Sequence, residues 1–282
     1  MKNPAIVATV SELRMHVGAW RTSSARVGLV PTMGALHEGH LSLVREMADR
    51  TERVIVSVFV NPTQFAPHED FARYPRTLEA DCAKLASQGA TDLVFAPPAA
   101  EMYPEGFATK IEVAGPAEGL ETDFRPHFFA GVATVVSKLL IAAMPDIAIF
   151  GEKDYQQLLV IKRMVSDLGL PIEIIGGATM READGLAMSS RNAYLNADER
   201  KIAGQLNVIL NNLKRRLRVS EGIAGAEEFA RKALLEAGFS SVDYVAIRDA
   251  ETLKKIEHLS GAARILAAAK IGNTRLIDNM PV

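Results

Sequence analysis

Apolar positions along this chain come in two alternating patterns. Val27–Val30, Arg53-Val-Ile-Val-Ser-Val-Phe-Val60, Asp92–Phe95, Ile147–Phe150 and Pro171–Ile175 are short, nearly uninterrupted runs rich in β-branched residues. Such runs are expected of strands buried on both faces. Between them the apolar residues recur at helical spacing, over His40–Arg50 (Leu41, Val44 and Met47 on one face), Arg76–Gln88, Val132–Ala143 and Tyr155–Leu168. Ser11–Trp20 reads as a further helix with Ser11 as its N-cap, and Gly89 stops the helix that begins at Arg76. Strands alternating with helices predict an α/β fold, a parallel sheet with right-handed crossovers and helices on both faces.

Pro97–Ala130 breaks the alternation. It is expected to be a long loop, with a short strand near Thr109–Val113, of the kind used as a lid, binding loop or interface. Its stretch Asp123-Phe-Arg-Pro-His-Phe-Phe129 reads first as a loop pinned by its phenylalanines. Past Gly176-Gly177, which should close the Pro171–Ile175 strand, the character changes. Helices over Asp198–Val219 and Ala226–Ala237 precede strands Val242–Arg248, Ala263–Lys270 and Arg275–Asp278, the last two joined by a hairpin turn at Gly272-Asn273. Two domains are therefore expected, 1–176 and a smaller α+β domain over 177–282.

Composition narrows the class. With 282 residues, 48% hydrophobic and 23% charged, the chain has the make-up of a globular protein. A net charge of −2 gives no reason to expect nucleic acid or an acidic membrane as partner. The single cysteine, Cys82, rules out a disulfide framework and reads as a packing residue. No signal peptide opens the sequence and no apolar run is long enough to span a bilayer, so a cytoplasmic enzyme is expected.

The candidate chemistry sits where strands should hand over to loops or helices. In Val30-Pro-Thr-Met-Gly-Ala-Leu-His-Glu-Gly-His-Leu-Ser-Leu-Val44, His37 and His40 fall at a strand-to-helix turn beside Gly34 and Gly39. A helix start offers unpaired N–H groups to an anion, and two imidazoles there can hydrogen-bond or protonate phosphate oxygens. Their spacing of three does not suit the zinc motif, which needs histidines four apart. Gly151-Glu-Lys-Asp154 places a glycine, a cation and a carboxylate ahead of another helix; Lys153 can neutralise phosphate, and Asp154 can hold Mg²⁺ or cap the helix. Gln64, in the turn Asn61-Pro-Thr-Gln-Phe65, and Gln157 are neutral donor-acceptors suited to a small substrate. Met188-Ser-Ser-Arg191 could clamp a phosphate from the second domain. Ligands in open parallel sheets bind beyond the carboxyl ends of the strands, where these loops converge. No Gly-x-Gly-x-x-Gly, Walker A or Gly-x-Ser-x-Gly motif supports a redox, P-loop or serine-hydrolase reading.

With these residues in place, the chain resembles the pantoate–β-alanine ligase (pantothenate synthetase) family. The match runs over Pro31–Val44, Phe59–Phe65, Tyr74–Arg76, His127–Lys138, Phe150–Gln157 and Thr179–Asn192. It departs at Ala178, where many members carry proline. His37-Glu-Gly-His40 alone resembles the signature of the wider nucleotidyltransferase and class I synthetase superfamily. The resemblance implies a Rossmann-like first domain, a lid-like second domain, a homodimer, and ATP with Mg²⁺. It implies an ATP site formed by Met33, Gly34, Ala35, Leu36, His37, Glu38, Gly39, His40, Gly151, Glu152, Lys153, Asp154, Met180, Met188, Ser189, Ser190 and Arg191. His40 would be the acid-like catalytic group, assisted by His37, Lys153 and Arg191. Gln64, Gln157 and Asn61 would hold pantoate, Gln64 also lying near β-alanine. The implied reaction joins pantoate and β-alanine to give pantothenate, AMP and pyrophosphate. The rival readings are an adenylyltransferase for a phosphorylated metabolite, a class I aminoacyl-tRNA synthetase fragment and a non-catalytic nucleotide sensor. The first needs a second cationic phosphate pocket; the second needs a basic RNA face that this chain lacks; the third has no use for both histidines with Ser189 and Arg191.

Overall fold

A computed structural model describes residues 3–66, 69–217 and 222–282. Its larger sheet has six parallel strands: β1 (Ala5–Val7), β2 (Val27–Thr32), β3 (Arg53–Val58), β4 (Leu93–Phe95), β5 (Ile147–Gly151) and β6 (Glu173–Gly177), in spatial order β1-β4-β3-β2-β5-β6. Helices α1 (Val10–Thr22), α2 (Glu38–Ala48), α3 (Leu78–Gln88), α4 (Ala99–Met102), α5 (Glu121–Phe124), α6 (Phe128–Ala143) and α7 (Tyr155–Asp167) connect or flank these strands. Alternate residues of β2 show why both faces must be covered. Val27 and Leu29 join α1, α6 and α7 in one apolar cluster, whereas Val30 joins Leu43, Val44 and Met47 of α2 and Leu85 of α3 in another. Period-two alternation within an all-apolar run thus supplies two cores at once. At Gly28 the approach of α2 leaves no room for a side chain; an added Cβ would lie 2.2 Å from the Met47 sulfur.

Beyond this sheet, α8 (Ala197–Leu217) and α9 (Ile223–Glu236) pack on an antiparallel sheet of β7 (Ser241–Asp249), β8 (Ala263–Ile271) and β9 (Thr274–Pro281). Their shared core starts in sequence at Leu186 and includes Leu206, Leu210, Leu234 and Ile265. The predicted α/β architecture, including the turn at Gly272-Asn273 between β8 and β9, is present.

Several expectations are corrected. Ala5–Val7, unassigned in the sequence, is an edge strand beside β4; three residues with Ile6 exposed carry too little periodicity to be recognised. The first helix is capped by Thr9 rather than Ser11, because Thr9 and Glu12 form a reciprocal capping box. Strand β2 continues through Pro31, which is tolerated because β5 pairs only with Gly28 and Leu29. Thr109–Val113 is not a strand: the Ile111 N–H donates to the Thr134 hydroxyl at 3.0 Å. Helix α6 starts four residues earlier than its apolar face suggested. Strand β6 runs through Gly176 and Gly177, its last two residues, because they pair with Phe150 and Gly151 of β5; a Cβ on Gly177 would meet Leu43 at 2.1 Å. The predicted Asp198–Val219 helix is present to Leu217, and residues 218 and 219 lie outside the described residues.

Candidate active site

The order of strands reverses between β2 and β5, one of which feeds connections to the left and the other to the right. This is the switch point at which open α/β sheets form a crevice. A cavity of about 730 Å³ lies there, walled on its far side by β8, β9 and the 178–194 segment. Met33 and His37 reach it from the β2–α2 loop, Gly39 and His40 from the first turn of α2, Gln64 from the turn after β3, and Gly151, Lys153, Asp154 and Gln157 from the end of β5 and the start of α7. Met180, Met188, Ser189, Ser190 and Arg191 complete the wall. Residues more than 150 positions apart in sequence therefore face one volume.

Other predicted residues lie outside the lining and support it. Gly34 and Ala35 both have positive φ (80° and 50°), a turn held by a buried carboxylate. Asp81 accepts the Ala35 and Leu36 N–H groups at 2.9 and 2.8 Å. Leu36 is buried against α2 and α3. Glu38 is exposed and pairs with Arg45. Glu152 pairs with Arg264 of β8 at 3.0 Å. Asn61 is 1% exposed: its Nδ2 donates to Gln64 Oε1 at 2.9 Å and to the Gly131 carbonyl, while its Oδ1 accepts from Thr63 and Tyr103. Asn61 thus orients Gln64, whose Oε1 it occupies.

The two imidazoles are locked by the helix start. His37 is the N-cap of α2 and its Nδ1 accepts the Gly39 N–H at 3.1 Å; His40 Nδ1 accepts the His37 N–H at 3.3 Å. An Nδ1 that accepts carries no proton, so the neutral ring bears its hydrogen on Nε2. The rings lie against each other, tilted by 40° with centroids 4.1 Å apart, and a Cβ at Gly39 would collide with His37 at 2.9 Å. Burial, then the charges of Lys153 and Lys84, hold His37 down at about 4. Burial, then His37 and Lys153, hold His40 down at about 3. Both are neutral N–H donors at pH 7. An unfolded chain protonates both near pH 6.5, whereas the fold resists until about pH 4 and 3. The stability they confer is complete above pH 6.5 and is lost as pH falls through that window. Urea midpoints at pH 7 and pH 5 should fall less for His40→Ala than for the wild type; parallel falls would contradict the buried neutral imidazole.

The 188–194 segment crosses to the first sheet. Ser189 caps a short 3-10 turn at the Arg191 N–H, and Ser190 Oγ donates to the Ala35 carbonyl at 3.1 Å. The Arg191 guanidinium forms two 3.0 Å bonds to Asp70. Sequence reasoning missed Asp70, Glu69, Tyr74 and Asn279, all of which line the cavity. Only Tyr74, inside a string shared with the family, had any signal. Arg125, set aside in a loop pinned by phenylalanines, holds Glu69 at 2.6 and 2.8 Å, donates to the Gln64 carbonyl at 3.0 Å and lies 3.8 Å over Phe128. Among the described residues no cluster of three or more His, Cys, Asp or Glu side chains could hold a metal ion. Mg²⁺ usually needs only one or two carboxylates beside substrate phosphates, and the half-exposed Asp154 on the cavity wall is a carboxylate of the kind that fits this chemistry. Among the described residues no helix is long and apolar enough to cross a membrane.

A sequence profile described as Pantoate-beta-alanine ligase matches residues 5–281. The chain is 56% identical to the pantothenate synthetase of Paramagnetospirillum magneticum, over 98% of this chain and 97% of that one. It is 55% identical to that of Caulobacter vibrioides over the whole of both. Among solved structures it is similar to pantothenate synthetase from Thermus thermophilus, with TM-score 0.91, 47% identity and 98% of each chain covered. It is also similar to a pantoate-beta-alanine ligase from Francisella tularensis complexed with beta-gamma ATP and beta-alanine, with TM-score 0.83, 34% identity and 98% and 97% covered.

Proposed function

This chain belongs to the pantoate–β-alanine ligase family, and from that premise we propose that the crevice at the β2/β5 switch point is where its three substrates meet. The enzyme condenses (R)-pantoate with β-alanine at the expense of ATP, giving pantothenate, AMP and pyrophosphate through a pantoyl adenylate. The observation that carries the placement is the convergence of His37, His40, Lys153, Ser190 and Arg191 on one cavity with Gln64 and Gln157.

The chemistry accounts for these residue types. A pantoate carboxylate must attack the α-phosphorus of ATP, so two anions approach each other. Charge then grows on the α-phosphate oxygens and the departing pyrophosphate. Donors already aimed at those oxygens stabilise this state more than the ground state. We assign His40 and His37 as neutral Nε2–H donors, Lys153 as the fixed positive charge, and Ser189, Ser190 and Arg191 as a clamp on the phosphates. Met33, Gly39, Gly151, Met180 and Met188 complete the nucleotide site, with Gly34, Ala35, Leu36, Glu38 and Glu152 shaping its backbone. Gln64, braced by Asn61, and Gln157 are assigned to pantoate. The Mg²⁺ expected with ATP would add positive charge at the triphosphate, with Asp154 as its protein carboxylate. The β-alanine amine then displaces AMP from the adenylate, so no enzyme nucleophile is required. Residues 177–282, a lid over the 1–176 nucleotide- and pantoate-binding unit, would keep water from the adenylate. A homodimer is part of the same reading; segment 107–114 lies outside both sheets at the rim of the first core.

Pantoate-dependent exchange of labelled pyrophosphate into ATP tests the first half-reaction. Exchange is expected with pantoate and without β-alanine; exchange that ignores pantoate would place the adenylate on another acid.

A further inference from the structure

Asn279 of β9 is 3% exposed, and its amide is fully engaged at the edge of the cavity. Its Nδ2 donates to the Glu152 carbonyl at 2.9 Å and to the Lys153 carbonyl at 2.7 Å. Its Oδ1 accepts from Arg264 Nε at 2.7 Å, and the same guanidinium reaches Glu152 Oε2 at 3.0 Å and stacks 3.7 Å over Tyr155. The neighbouring Asp278 binds Arg181, the residue after Met180, at 2.7 and 2.9 Å.

The two carbonyls belong to the peptides on either side of the Lys153 Cα. One side chain from the second domain therefore holds both peptide planes that set the direction of the Lys153 side chain. The task requires two donors on one atom and an acceptor on the next, in a neutral group. An amide satisfies this; a carboxylate would turn an oxygen toward both carbonyls, and an apolar residue would leave them and Arg264 unpaired. We propose that Asn279 is a positioning residue for Lys153, so that seating of the second domain, not the first sheet alone, sets the lysine against the phosphates. The proposal rests on the phosphate role assigned to Lys153.

A double-mutant cycle on pantoate-dependent pyrophosphate exchange tests it, with thermal unfolding of each variant recorded first. Asn279→Ser should lower kcat about tenfold and leave the KM for pantoate within about twofold, the size of coupling between neighbouring groups. In a Lys153→Ala background the same substitution should cost less than about twofold. Asn279→Asp keeps the volume and the Arg264 contact; it should repeat this pattern with a loss at least as large, and it carries the cycle where the serine variant is unfolded at the assay temperature. Equal losses in both backgrounds, or no loss in either, would overturn the proposal. Wild-type exchange by Lys153→Ala alone would instead remove the role given to Lys153.

Discussion

His40→Ala is expected to lower kcat by about 10²–10³, the range for deleting one preorganised donor to a developing oxyanion, or about 2.7–4 kcal/mol. The effect should fall on the adenylation step and therefore on pyrophosphate exchange. Folding should survive, because removing the imidazole deprives the His37 N–H of its acceptor, which costs about 1–3 kcal/mol. The pH dependence separates a donor from an acid. Burial and the neighbouring His37 and Lys153 hold His40 at about 3 in the free enzyme. The wild-type profile of kcat/KM for ATP, which reports free-enzyme groups, should show no limb from His40 between pH 5 and 8. Such a limb, absent from the alanine variant, would restore an imidazolium acid; a variant with wild-type exchange would take His40 out of the mechanism altogether.

Glu121→Ala should produce the largest loss of stability. Glu121 is 6% exposed at the start of α5, against the second domain. Its oxygens accept from Arg275 Nη1 and Nη2 at 2.7 and 2.8 Å and from the Tyr244 hydroxyl at 2.7 Å. Burial, the largest single influence, would raise its pKa, but the hydrogen bonds and charge of Arg275, the Tyr244 hydroxyl and the charge of Arg125 together outweigh it and hold it below the usual carboxylate range. Taking one partner from a buried pair leaves the other charge desolvated and costs about 3–5 kcal/mol. Asp243, which also binds Arg275 at 2.7 Å, offsets part of that and places the expected loss near the lower figure. Urea unfolding measures it, and a loss under about 1 kcal/mol would rank the pair with ordinary surface ion pairs. A resolved early transition in the variant would show the second domain separating first, because these bonds join it to the first.

The two histidines and Lys153 were legible because they follow a pattern the sequence itself carries, an apolar run, then glycine, then polar residues at a strand end; the 188–191 string, weak alone, was legible through the family strings. Asn279 was not. It lies one residue past the strand expected over Arg275–Asp278, on the β9 face of the half-buried Arg275 and Ile277, and nothing along the chain says that it is buried or that its amide faces the turn at Glu152 and Lys153. Asp70 is similar, an ordinary acid in a loop until Arg191 is placed beside it. Arg125 was visible in part: its aromatic neighbours point to packing, which its position over Phe128 bears out, while its other partners, Glu69 and the Gln64 carbonyl, lie about 60 residues away in sequence. Gly176-Gly177 reads locally as a turn, yet both residues pair with Phe150 and Gly151 of β5 and form the last two positions of β6.

By itself the sequence determined the alternation of strands and helices, the two buried faces of the sheet, the second domain's hairpin and the family. Each of these depends on neighbours within a turn or two, or on strings of residues read in order. The tertiary structure alone decided which polar groups share the cavity, that both imidazoles are neutral, and that β9 holds the backbone around Lys153. Those properties depend on burial and on contacts between segments more than 100 residues apart, where desolvation and hydrogen-bond geometry have no counterpart in linear spacing.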